Sequence, residues 1–232
     1  MKRHSIILLV LFCAAEIMAQ QQLTRGILIA IEGIDGSGKS TLAQNLFALL
    51  QKKQFDVLLT KEPGDTTLGK KIREIVQTQD MPITPAAEYL LFAADRAQHF
   101  SELIVPALAH GTLILSDRLS DSSLAYQGYG RGLDIGMLKL VNSWAMTTVV
   151  PHVTIFVRVP VETALDRARA RGRLSAFEKQ DFLRNVAQGF EEIYANRTDV
   201  IVLDGTLSQE NLATVAVEAI EQWLKNNSIL VH

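Results

Sequence analysis

Glu32-Gly33-Ile34-Asp35-Gly36-Ser37-Gly38-Lys39-Ser40-Thr41 is the stretch on which the reading of this chain turns. From Gly33 to Ser40 it matches G-x-x-x-x-G-K-[S/T] in full. An apolar run, Ile27–Ile31, precedes it and an amphipathic stretch, Ser40–Lys53, follows, so strand, loop and helix come in the required order. Small residues let the backbone curl until successive N–H groups point at phosphate oxygens, and the positive end of the following helix adds to the attraction. Gly33, Ile34, Asp35, Gly36, Ser37, Gly38, Lys39, Ser40 and Thr41 are therefore expected to hold a nucleoside triphosphate. Lys39 would bridge the β and γ phosphates and Ser40 would supply a magnesium ligand. The loop names the ligand class but not the reaction, since a GTPase or a motor ATPase would carry it too.

Outward from the loop, further short apolar runs read as strands: Asp56–Leu59, Leu113–Leu115, Val153–Val159 and Val200–Leu203. Their apolar character is continuous, not alternating, as a parallel sheet buried on both faces demands. Helical patterns lie between them at Leu68–Gln77, Pro85–Ala109, Ile135–Thr147, Val161–Arg171, Phe177–Asn196 and Ser208–Lys225. Strand–helix alternation without a linker predicts one doubly wound α/β domain with a five-stranded parallel sheet flanked by helices. Ligands of such sheets sit beyond the carboxyl ends of the strands.

Composition agrees and sets bounds. Apolar residues make up 48% of the 232, enough for a sizeable core. Lys and Arg number 23 against 25 Asp and Glu, a net charge of −2 that argues against nucleic acid or a membrane surface as partner. The single cysteine, Cys13, excludes an intramolecular disulfide and a cysteine-based zinc site. His99, His110 and His152 lack metal-like spacing and are assigned to surface or capping roles, and Trp144 and Trp223 to packing.

Residues 1–22 read differently and are set apart from the domain at 23–232. Lys2, Arg3 and His4 precede the apolar run Ile6–Ala15, and Ala19 closes an Ile-x-Ala cleavage site, the outline of a secretory signal. The run is too short for an ordinary membrane span. Competing readings are a true start at Met18, with 1–17 an artefact of the gene boundary, and an extension that stays attached. The chemistry needs ATP, so a cytoplasmic enzyme is expected, with export the alternative if residues 1–19 are a working signal.

Two strand ends narrow the reaction. Asp35, inside the loop, is either a turn former with Gly36 or the holder of an arginine on the acceptor side. Asp117, after the third strand, would position magnesium through water, and Arg118 would grip an anion; the plainer reading of the pair is a helix cap and a surface charge.

The phosphate loop together with Glu62-Pro63-Gly64, Leu90-Leu91-Phe92-Ala93-Ala94-Asp95-Arg96, Asp117-Arg118 and Asp121-Ser122-Ser123-Leu124-Ala125-Tyr126-Gln127-Gly128 resembles the bacterial thymidylate kinases. Arg167-Ala168-Arg169-Ala170-Arg171-Gly172 resembles the opening of that family's lid. The likeness runs over residues 27–225 in the family's order. It implies a P-loop kinase domain with a short helical lid, ATP and dTMP as substrates, magnesium as cofactor, dTDP as product and a homodimer. By position it implies that Phe92 stacks on thymine, Arg96 donates to the base, Ser123 and Gln127 meet the base edge, and Tyr126 packs below C2′. Arg118, helped by Arg73, would hold the acceptor phosphate, with Asp35 and Glu62 beside it. Lys39, Asp35, Arg118, Arg171 and Arg173 would form the catalytic set. Arg167 is read as part of a solvated helix face.

The chain departs from the family pattern in places. At the lid, Arg171-Gly172-Arg173-Leu174-Ser175-Ala176-Phe177-Glu178 puts Ala176 at the usual downstream arginine and a new arginine at 173. Lys61 stands for a common arginine, Leu119 for an aromatic residue and Asn185 for an arginine. Two alternatives to dTMP phosphorylation therefore remain open at this point: a kinase of another nucleotide or nucleoside, and a weakly active nucleotide-binding protein.

Overall fold

The computed structural model describes residues 21–77, 82–170 and 178–230. Five strands, β1 (Ile27–Glu32), β2 (Val57–Lys61), β3 (Leu113–Asp117), β4 (Val153–Arg158) and β5 (Val200–Asp204), form one sheet in the order β2-β3-β1-β4-β5. Every pairing is parallel, with Ile29 opposite Leu115 on one side and Val153 on the other. The expected five-stranded parallel sheet is thus present.

The central strand explains the layering. All six residues of β1 are buried, so its side chains alternate between two cores. Ile27, Ile29 and Ile31 meet Leu42, Leu46 and Leu50 of α1 (Lys39–Lys52) and Leu212, Ala216 and Ile220 of α9 (Gln209–Asn226). Leu28 and Ala30 point the other way, toward Phe100, Ile104 and Ile114. Each such fully buried Leu, Ile or Phe contributes about 1.5–3 kcal/mol from removal of apolar surface from water. Glu32 continues the Leu28–Ala30 face and is itself fully buried.

The remaining helices are α2 (Thr67–Gln77), α3 (Pro85–His99), α4 (Val105–Ala109), α5 (Ser120–Ser123), α6 (Ile135–Ala145), α7 (Val161–Ala170) and α8 (Glu178–Tyr194). The stretch expected as one helix, Pro85–Ala109, is divided. A π-helical turn, Phe100–Ile104, separates α3 from α4, directly ahead of Pro106, which has no N–H to give to the Glu102 carbonyl. No helix was expected over residues 120–130, yet α5 and a second π-helical segment, Leu124–Gly130, occupy it. Its serines and glycines read as loop because its partners lie far away in sequence. Among the described residues, no helix is long and apolar enough to cross a membrane.

Trp144 is not a packing residue: it is 79% exposed. It sits on α6, a helix whose buried positions are Leu138, Asn142 and Ala145, which turns Trp144 outward. Trp223 does pack, against the α1–α9 core.

Candidate functional site

The phosphate loop turns at the carboxyl end of β1. Gly36 (φ +89°) has no room for a side chain, since a Cβ there would lie 2.3 Å from the Ala164 carbonyl oxygen on α7. The Ser37 N–H donates to the Ile34 carbonyl (3.1 Å), closing the turn. Lys39 is buried, and its Nζ donates to the same carbonyl (3.3 Å) and lies 3.5 Å from Asp35 Oδ1. Burial pushes the Lys39 ammonium down to about 8, with Arg118 adding to the effect. Ser40 and Thr41 are exposed at the head of α1.

Arg118 stands against this loop. Its Nη1 donates to the Gly33 carbonyl (3.4 Å) and to Ser122 Oγ (2.9 Å). Its Nη2 pairs with Asp35 and donates to the Tyr126 hydroxyl (3.3 Å). Asp35 is thus paired with an arginine from the end of the neighbouring strand. The backbone of Arg118 is unusual, with φ +77°, a region that costs a non-glycine residue about 1–3 kcal/mol. It is held there by its N–H to the Ile31 carbonyl (3.0 Å) and by Ser116 Oγ on its own carbonyl (2.8 Å).

Tyr126 joins loop to helix. Its hydroxyl accepts the Asp35 N–H (2.8 Å), Arg118 lies over its ring, and the ring packs edge-on to Phe182 and Phe190 of α8. Glu32 closes the cluster from beneath. Its Oε1 accepts the N–H groups of Leu119 (2.8 Å) and Ser122 (3.2 Å), and its Oε2 accepts the Ser122 hydroxyl (2.5 Å). Burial, with Asp121 adding, pushes the Glu32 carboxyl up to about 7.

The second cluster is deeper. Arg96, buried on α3, donates Nε and Nη2 to Glu62 Oε2 (2.9 and 2.8 Å), Nη1 to Asn142 Oδ1 (2.7 Å) and Nη2 to Ser123 Oγ (3.2 Å). Glu62 Oε1 also pairs with His99 Nδ1 (2.9 Å), and His99 Nε2 lies 2.7 Å from Thr60 Oγ1. Burial acts to raise the Glu62 carboxyl, but Arg96 and His99 outweigh it and hold it below the usual range. Neighbouring serines thus divide the site: Ser122 takes Arg118 and Ser123 takes Arg96. Arg73 donates to the Pro63 carbonyl (2.9 Å) beside this cluster. Phe92 is half-buried on α3, and Gln127 bonds Glu88 (2.8 Å) instead of the Arg96 group.

Two assignments change. His99 is neither a surface nor a capping residue but a buried partner of Glu62, because α3 turns it toward the end of β2. His110 and His152 keep local roles, on the Pro106 carbonyl and the Leu28 N–H respectively. Arg167 is not a solvated face: its Nη1 donates to the carbonyls of Ser37 (3.3 Å) and Gly205 (2.9 Å), bracing the outside of the phosphate loop. Asn142 escaped notice altogether. The available signal was the single amide side chain of α6. Arg171 and Arg173, with the whole of 171–177, lie outside the described residues.

Asp95 adds a last feature. Its Oδ1 accepts the Gly64 N–H (3.2 Å), and Gly69 passes so close that a Cβ there would lie 2.2 Å from that oxygen. Its Oδ2 is buried without a partner, and burial, then Glu62, pushes the carboxyl up to about 6.

Asp117 Oδ1 is also buried and unpartnered, at the end of the strand beside β1. This oxygen and the exposed Ser40 hydroxyl are hard donors of the kind magnesium takes when it keeps waters and phosphate oxygens for its other positions. The described residues contain no cluster of three or more His, Cys, Asp or Glu side chains suited to a metal.

A parallel sheet whose first strand ends in a phosphate loop, faced by an arginine from the neighbouring strand end, defines a P-loop kinase. The comparisons narrow the class. The thymidylate kinase family model matches residues 31–215. Thymidylate kinase of Halothermothrix orenii is 45% identical over 193 residues, covering 81% of this chain and 93% of the relative. That of Carboxydothermus hydrogenoformans is 42% identical over 190 residues, with the same coverage of 81% and 93%. The crystal structure of thymidylate kinase from Ehrlichia chaffeensis superposes with a TM-score of 0.69 at 28% identity, covering 84% of this chain and 99% of that one. The chain belongs to the thymidylate kinase family.

Proposed function

We propose that residues 23–232 transfer the γ-phosphoryl group of ATP to dTMP, giving dTDP. Beyond family membership, the observation that carries this reading is the position of Arg118, one face on the phosphate loop and the other, through adjoining serines, on the Arg96 pocket. An arginine there can hold an acceptor phosphate in line with the donor. The acceptor oxygen is already ionised, so no strong general base is required, and catalysis rests on alignment and charge neutralisation. Lys39 meets the β and γ phosphates, while Arg118, assisted by Arg73, offsets repulsion between the two anions. Ser40 and Asp117 would hold magnesium, which supplies charge neutralisation on the phosphate oxygens when bound. Arg171 and Arg173 are proposed as lid residues that close over the phosphates and exclude water. On the acceptor side, Glu62 fixes Arg96 for the base, with Phe92, Ser123 and Gln127 around it and Tyr126 at the sugar.

The test is ADP release with ATP and magnesium, comparing dTMP, dUMP, the ribose analogue of dTMP and thymidine. Strong preference for dTMP is expected; ATP binding without turnover of any acceptor would overturn the reading. Turnover is expected to vanish on magnesium chelation and return on re-addition.

A homodimer is part of the same proposal. Leu90 on α3, with Met137, Leu140 and Trp144 on α6, leaves an exposed apolar face, and a groove of about 420 Å³ runs between Leu90, Ala97 and Trp144. Light scattering should give twice the 25.7 kDa chain mass, and Trp144→Glu should give the monomer. A cytoplasmic setting fits the need for ATP.

A further inference from the structure

Glu32 has no part in binding nucleotide as described so far, yet it ends the strand that leads straight into the phosphate loop. Its hydrogen-bond partners, Leu119 and Ser122, come from the start of α5 and the residue before it, about 90 residues on and directly after Arg118. The α5 helix has no side-chain cap of its own; Glu32 provides one from across the sheet by accepting the Leu119 and Ser122 N–H groups. Leu119 directly follows the strained Arg118, so the carboxylate fixes one end of that strained peptide.

The Ser122 hydroxyl carries the effect to the guanidinium. A hydroxyl has one hydrogen and two lone pairs. With its hydrogen given to Glu32 Oε2 (2.5 Å), only lone pairs remain to face Arg118 Nη1 (2.9 Å). The titratable and charged groups around Glu32 are the cations Arg118 and Lys39, the Asp121 carboxylate and the neutral Tyr194 hydroxyl, and Glu32 itself is fully buried.

We propose that Glu32 is a positioning residue for the phosphoryl transfer: it locks the Arg118 turn and the direction of the Ser122 hydroxyl, so that the acceptor-phosphate arginine is held in register with the phosphate loop. This rests on the reading of Arg118 as the acceptor-phosphate ligand.

Glu32→Gln preserves shape and both backbone N–H bonds, but its amide N–H would compete with the Ser122 hydroxyl hydrogen. Expected are a melting temperature near wild type, an unchanged KM for ATP, and a fall in kcat/KM for dTMP on the order of 10- to 100-fold. Ser122→Ala, which leaves Glu32 in place, should give a similar selective loss. The double variant should be no worse than the weaker single. Wild-type dTMP kinetics in a folded Glu32→Gln protein, an equal rise in both KM values, or multiplied losses in the double variant would each overturn the role. Should Glu32→Gln fail to fold, Ser122→Ala decides alone, and unchanged dTMP kinetics there would overturn it. Wild-type protein is assayed alongside; its failure to turn over dTMP would sink the assigned reaction, and this inference with it, whereas an active wild type with indifferent variants sinks Glu32 only.

Discussion

The two halves of the site are built on opposite plans. Around Arg96, the side chains of Glu62, His99, Thr60, Asn142 and Ser123 are buried and bonded to one another. Around the phosphate loop, the Lys39 ammonium makes long contacts to Ile34 and Asp35. Among the described residues, buried oxygens of Ser37 and Asp117 there have no partner, whereas beside the Arg96 cluster Asp95 Oδ2 alone is left so. A closed network suits recognition of a flat neutral base, where rigidity gives discrimination. An open one suits a loop that must exchange protein contacts for phosphate oxygens at every turnover.

That contrast can be broken by substitution. The largest effect should come from Arg96→Leu, which takes the guanidinium from the buried Glu62 carboxylate and leaves it His99 alone. Breaking a buried pair by removing one partner costs about 3–5 kcal/mol, so denaturant unfolding should register a loss of that size, with KM rising for dTMP much more than for ATP. An equal rise for both would refute its base-side role. Lys39→Ala should do the reverse, leaving stability near wild type while kcat falls on the order of 100- to 1,000-fold; retained turnover would end the mechanism.

Tyr126→Phe should be milder. It strips the Asp35 N–H of its acceptor, a change worth about 1–3 kcal/mol if the group stays dry, visible as a lower melting temperature and a modest loss of activity. Ribose discrimination should persist, because the ring remains.

The smallest and most diagnostic effect concerns pH. The folded Asp95 carboxyl sits near 6, against an ordinary 3.8. Between those values the folded chain holds a proton that the unfolded chain has released, so this group's contribution is full below about 3.8 and is lost as pH rises to about 6. Asp95→Asn cannot lose it. Unfolding titrations from pH 4 to 7 should therefore show the variant gaining on wild type as pH rises; a constant gap would mean that Asp95 is not the group titrating.

The sheet and the phosphate loop were legible because their signals are local: continuous apolar runs for β1, β3 and β4, and a fixed spacing from Gly33 to Ser40. The helical course of Ser120–Gly130 was not, since Ser122 and Ser123 are buried only through Glu32 and Arg96, distant in sequence. His99 and Arg167 were misassigned for the same reason. A charged or titratable side chain on a helix looks solvated until the facing strand end or loop is known. Trp144 erred in the opposite sense, because local hydrophobicity does not tell an internal surface from an external one. Asp35 and Arg118 were singled out by their places in the loop and at a strand end, and Glu62, Arg96 and Ser123 through family resemblance; their division into two serine-linked clusters is a property of the fold alone.

The chain enters the domain at a telling place. Gln21 bridges to Phe55, Leu23 pairs antiparallel with Leu230, and the Thr24 N–H bonds the Ile229 carbonyl (2.8 Å). All of these lie at the amino ends of the parallel strands, whereas Gly33, Asp117 and Glu62 sit at or just beyond the carboxyl ends. Entry and exit thus share one pole and the chemistry occupies the other, about 20 Å away for strands of six residues. A fusion partner or a surface tether joined ahead of Gln21 or beyond Leu230 would therefore meet the pole opposite the phosphate loop.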